Sequence, residues 1–94
     1  MRLVGRQKLQ EFQRRHADAR PWISAWVAEV ESVGWRSPQD LKERYPSASV
    51  INDQVVVFNV KGNRYRLEVR ISFQAQVISI GRWGTHAEYD KWTW

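Results

Sequence analysis

The sequence predicts one α+β domain over residues 1–94: helices first, then an antiparallel sheet whose apolar face they cover. Three observations carry this. Apolar residues in the first half recur at helical spacing behind two proline-marked starts. From Val55 the period changes to two, with turn residues between the apolar runs. Thr85 and Glu88 then have the spacing of a capping box, which opens a short C-terminal helix. A chain of 94 residues suffices for one small domain and not for two.

The first helix is expected from about Gly5 to Ala17, with Leu9, Phe12 and His16 along one stripe. Arg20-Pro21 starts the second, since proline at the first helical position loses no hydrogen bond. Trp22, Trp26, Val30 and Val33 share its apolar face, with Ile23 and Val27 beside it. Gly34 is the expected C-terminal cap. Ser37-Pro38-Gln39-Asp40 opens a third, short helix from Pro38 to about Arg44: a capping hydroxyl, a proline, then an acid in the first turn. Tyr45-Pro46-Ser47 ends it.

Ser47 to Gln54 is expected to be a loop, with Val50-Ile51 as a candidate fourth strand. Val55–Val60 is dense in β-branched residues, as a buried strand is. Lys61-Gly62-Asn63 makes a tight hairpin connection. From Arg64 to Phe73 the residues alternate: Tyr65, Leu67, Val69, Ile71 and Phe73 on one face, Arg64, Arg66, Glu68 and Arg70 on the other. Gln74-Ala75 is a second turn, and Gln76–Arg82 a third strand. A sheet of three strands, or four with Val50-Ile51, follows. Its face carrying Arg66 and Arg70 is expected to stand open to solvent. Trp92 and Trp94 are expected to pack back on the domain.

The chain has no cysteine, which excludes disulfide staples and thiolate chemistry. No apolar run approaches the length of a membrane span, and no secretory signal opens the chain. A cytoplasmic protein with no membrane contact is the expectation. The net charge of +5 favours polyanionic partners, nucleic acid foremost.

Basic residues concentrate in the strands. Lys61, Arg64, Arg66, Arg70 and Arg82 fall between Asn59 and Gly84, where only Glu68 opposes them. Arg66 and Arg70 lie four residues apart on one strand, roughly 13 Å. Arginine binds phosphate through a planar fork of donors. His86 falls in the first turn of the C-terminal helix, at the positive end of the backbone dipole. Tyr89 and Asp90 follow at three and four residues and can share its face; Lys91 is nearby. Cleaving RNA without metal needs a base for the ribose 2′-hydroxyl, donors for the charge on phosphate, and an acid for the departing oxygen. These side chains could supply all three. The two histidines are far apart in sequence, and Glu88 and Asp90 are a lone pair of acids among basic residues, so neither a metal site nor a cofactor is expected.

Val57-Phe58-Asn59-Val60-Lys61-Gly62-Asn63-Arg64-Tyr65-Arg66-Leu67 and Gly84-Thr85-His86-Ala87-Glu88-Tyr89-Asp90-Lys91 closely resemble the HigB-type toxins of bacterial toxin–antitoxin pairs. With the helix–helix–strands order, the likeness covers nearly the whole chain. It implies a small RelE-like fold. It implies an mRNA endonuclease that cuts ribosome-bound message by attack of the 2′-hydroxyl, without metal. It also implies neutralisation by an antitoxin, usually a helix-turn-helix protein.

By position, Asn63 and Arg66 match the first motif, and Arg70 a position that is often basic. Thr85, His86, Tyr89, Asp90 and Lys91 match the second. His86 is then the expected proton-transfer group, and Arg66 and Arg70 the phosphate holders. Tyr89 and Lys91 are expected to orient substrate or donate protons. Lys61, Asn63, Arg64 and Arg82 are expected to bind RNA, with Thr85, Glu88 and Asp90 supporting the site. One departure stands out. Family members usually carry arginine directly after the last strand's isoleucine, whereas here Ile80 is followed by Gly81 and then Arg82. A one-residue shift sends a strand side chain to the other face, unless Gly81 forms a bulge. Two other functions fit the same basic face: a non-catalytic RNA- or ribosome-binding module, and a domain that meets an acidic protein partner.

Overall fold

A computed structural model of the protein describes residues 1–93, so the expected packing of Trp94 lies outside the described residues. In chain order the elements are β1 (Arg2–Val4), α1 (Arg6–Arg15), a 3-10 turn (Ala17–Ala19), α2 (Arg20–Ser32), α3 (Pro38–Arg44), β2 (Ser49–Val50), β3 (Val55–Val60), β4 (Tyr65–Ser72), β5 (Val77–Thr85) and α4 (His86–Tyr89). The sheet corrects the expectation of three or four antiparallel strands. It has five strands in the order β1-β5-β4-β3-β2 and is mixed. β1 pairs in parallel with β5, Arg2 beside Val77 and Val4 beside Ser79. The β2–β3, β3–β4 and β4–β5 pairs are antiparallel.

Local chemistry explains the helix ends. α1 starts at Gly5, whose φ of 95° is left-handed backbone that glycine adopts without strain. A Cβ there would also sit 3.2 Å from that of Ile80. α1 stops at Arg15 rather than Ala17, because His16 leaves helical backbone and a 3-10 turn follows. Ser37 caps α3 as expected, its hydroxyl accepting from the Asp40 N–H. Gly34 does not cap α2: the helix ends at Val33, already extended, and Gly34 has no positive φ.

Leu9, Phe12, Ile23, Trp26, Val30 and Leu41 from the helices bury against Phe58, Leu67, Val69, Ile78 and Ile80 from the sheet. Each such side chain contributes roughly 1.5–3 kcal/mol by leaving water. Phe12 stacks on Trp83 at 4.9 Å between ring centroids, which ties α1 to the end of β5 beside α4. The strand alternation holds: Leu67, Val69 and Ile71 face this core. Val55 and Val57 are buried too, yet stand outside the core cluster, so long side chains cover part of the other face.

Candidate active site and nucleic-acid interface

β5 runs without a loop into α4, so strand register fixes where the helix begins. The capping box forms: the Thr85 hydroxyl accepts from the Glu88 N–H at 3.2 Å, and the Glu88 carboxylate accepts from the Thr85 N–H at 2.9 Å. These bonds, the backbone N–H first, hold the Glu88 carboxyl below the usual carboxylate range. The His86 N–H donates to the Arg64 carbonyl at 3.0 Å, joining α4 to the β3–β4 hairpin. The His86 side chain is 52% exposed, and its Nδ1 lies 3.7 Å from Asp90 Oδ1 one turn along. An imidazole in reach of water, with a carboxylate one helical turn away, can take and return a proton.

Arg66 is placed differently from expectation. It is on the predicted face but only 8% exposed. Its Nη1 donates to the carbonyls of Asn63 and Tyr65, each at 3.2 Å. The Tyr89 ring covers it, with the guanidinium carbon 5.1 Å from the ring centroid. Gly84, which pairs with Arg66 across the strands, makes room for Trp92 and Glu88. A Cβ at Gly84 would lie 3.1 Å from Trp92 and 3.2 Å from the Glu88 Cβ. Alternation places a side chain on a face; it does not reveal that a later helix will close over it.

The displaced arginine is resolved by a bulge. Glu68 pairs with Arg82, and the next residue, Val69, pairs with Ile80, so Gly81 is extra in β5. Arg82 thereby returns to the face of Arg66 and Glu68. There its Nε donates to Glu68 at 2.6 Å, and its guanidinium lies 4.4 Å from the centre of the Trp92 ring. Trp92 thus packs back as expected, edge-on to Tyr89.

The remaining candidates divide. Lys91 is exposed just past α4, its N–H donating to the Glu88 carbonyl, and Asn63 is exposed in the hairpin turn. Lys61 and Arg64 sit at the same end but are tied to Asp18, at 3.4 and 2.7 Å. Arg70 is not brought together with this group. It lies further along β4, opposite Val55 and Ser79.

Asp18 joins the site although no sequence pattern marks it. It accepts from the Tyr65 hydroxyl at 2.6 Å as well as from Arg64 and Lys61. The Tyr65 bond above all, with the two cations, holds its carboxyl down at about 2. The same bond pushes the Tyr65 hydroxyl up. Its only signal in sequence was an acid between two helices, which ordinarily reads as a helix-start residue. Among the described residues, no three His, Asp or Glu side chains gather where they could hold a metal ion. No helix among them is long and apolar enough to cross a membrane.

Residues 19–92 match the HigB toxin family, described as the RelE-like toxic component of a toxin–antitoxin system. The chain belongs to the HigB toxin family. It is 27% identical over 95 residues to the mRNA interferase toxin HigB of Escherichia coli K12, an alignment spanning 99% of this chain and 91% of that protein. The mRNA interferases HigB of Escherichia coli O157:H7 and Shigella flexneri align with the same identity and coverage. In this HigB-family chain the matched span holds α2, α3, β2 to β5 and α4, hence every site residue expected from the sequence, while Asp18 falls just before it.

Proposed function

We propose that this chain is an mRNA endonuclease that cuts ribosome-bound message in the cytoplasm without a metal, and that a cognate antitoxin of the helix-turn-helix kind neutralises it. The names of the relatives support the activity class. The single observation carrying the chemistry is the convergence at α4. Arg66 lies under Tyr89, with His86 and Asp90 on the same four-residue helix and its cap.

In the proposed reaction His86 takes the proton of a ribose 2′-hydroxyl. The freed oxygen attacks the adjacent phosphorus, and the bond from phosphorus to the 5′-oxygen breaks. Tyr89 or Lys91 returns a proton to that oxygen. The products are a 2′,3′-cyclic phosphate and a 5′-hydroxyl, so no atom is left unassigned. Arg66 and Arg82 stabilise the charge on the equatorial oxygens, and Asp90 orients the His86 ring. Phosphate reaches Arg66 only when Tyr89 swings off the guanidinium, which brings the phenol to the departing oxygen. Replacing His86 by alanine tests this reading: the folded variant should no longer arrest growth on expression, and a fully toxic variant removes His86 from the chemistry.

A further inference from the structure

On the same outer face, beyond Glu68 and Arg82 from α4, lies a cavity of about 360 Å³. Arg70 and Val77 line it from the strands, Asp53 and Gln54 from the loop before β3, and Phe73 and Gln74 from the β4–β5 turn. Its volume falls in the range of sites that take small ligands. The Arg70 side chain is exposed and makes no hydrogen bond, ion pair or ring contact to any described residue. The other arginines of β4, β5 and the hairpin between β3 and β4 are engaged: Arg64 by Asp18, Arg66 by two carbonyls and Tyr89, Arg82 by Glu68. Asp53 shares the cavity without closing an ion pair on Arg70.

This combination fits one nucleotide. A phosphate takes an unpaired arginine; a base takes an apolar or aromatic surface and edge groups that donate and accept. Phe73 and Val77 supply the surface, and Gln54, Gln74 and Asp53 the edge groups. Arg70 lies roughly 13 Å along β4 from Arg66, about two nucleotide steps of an extended single strand. Between them Glu68 is neutralised by Arg82, so no uncompensated negative charge interrupts the path.

We propose that this cavity is a second RNA subsite, in which Arg70 holds a backbone phosphate about two nucleotides from the linkage at His86 while the base lies on Phe73 and Val77. It rests on the reading that the α4 end takes the scissile linkage. Base preference at that distant position is then set by Gln54, Gln74 and Asp53, away from the reacting atoms.

The test is binding of 2′-O-methyl oligoribonucleotides, which cannot be cut, to the full chain. A hexanucleotide should bind about tenfold or more tighter than a dinucleotide. Arg70→Gln should bring that ratio down toward one. Arg70 is exposed, so the variant should melt like wild type. Gln74→Ala, in the β4–β5 turn, gives an independent arm in which the ratio falls in the same direction. A hexanucleotide advantage that survives both substitutions overturns the subsite. So does an oligoglutamate peptide that displaces the hexanucleotide and binds more tightly, since the cavity then serves an acidic protein. Cleavage lost or kept in His86→Ala bears on the nuclease reading alone and leaves this ratio untouched.

Discussion

The Tyr89 ring lies over the Arg66 guanidinium, 5.1 Å from ring centre to guanidinium carbon, and leaves that arginine 8% exposed. A cation beneath an aromatic face is attracted by the ring's quadrupole, and two carbonyls hold it from the other side. The contact joins β4 to α4 and places the cluster's most buried charge beside its phenol.

The two parts of Tyr89 can be separated. Tyr89→Phe keeps the roof and removes the hydroxyl. Cleavage should fall about 10²–10⁴-fold if the phenol passes a proton. Tyr89→Ala should in addition lower stability by about 1 kcal/mol, because Arg66 loses its cover. Melting curves and a cleavage assay on both variants check this. Equal activity of Tyr89→Phe and wild type assigns the proton to Lys91.

Thr85→Ala removes half of the capping box. The expected cost is about 1 kcal/mol, or roughly 4–8 °C in melting temperature for a domain of this size. Activity should fall by more than this stability loss explains, because α4 carries both His86 and Tyr89. Thr85→Ser should restore both. Melting and message cleavage measured side by side distinguish positioning from plain destabilisation.

Gly81 is the extra residue of β5, so deleting it should remove the bulge and still leave Arg82 opposite Glu68. The deletion variant is predicted to fold and to remain active. Gly81→Val should cost about 1–3 kcal/mol, since a Cβ there would lie 3.1 Å from the Glu68 carbonyl oxygen and 3.2 Å from its carboxylate. Unfolding in denaturant, with growth arrest as the readout of function, checks both.

Asp18 ties the hairpin to the turn between α1 and α2. Its carboxyl is held at about 2 by Tyr65 first, then Arg64 and Lys61. A carboxyl with a depressed folded value stabilises above its unfolded value near 4, and the contribution is lost as pH falls toward 2. Asp18→Asn should therefore melt below wild type by a constant margin above about pH 5, and the margin should shrink as pH falls below about 4. Melting temperatures across that range check the sign. A margin that grows in acid contradicts it.

The helices and the three long strands were legible because each carries its own period: Leu9 and Phe12 at helical spacing, Leu67, Val69 and Ile71 at every second residue. The capping box was legible because its two residues lie three apart. β1 was not. Three residues are too few to show alternation, and its partner on β5 is more than seventy positions away. Asp18 was hidden for the same reason, its partners lying 43 to 47 residues on. Arg66 was assigned to the correct face, but its burial depends on Tyr89, which no strand pattern encodes. Arg70 shares that face, and its separation from Arg66 along β4 was legible from the strand rise alone.

On the function proposed above, the α4 cluster breaks RNA by 2′-hydroxyl attack. The most direct measurement is the chemistry of message ends after induction of wild type and of His86→Ala. Wild type should yield new ends carrying 2′,3′-cyclic phosphate or 3′-phosphate upstream and 5′-hydroxyl downstream, and the folded His86→Ala variant should yield none. Cuts that persist in the variant, or that leave 3′-hydroxyl and 5′-phosphate, contradict the account.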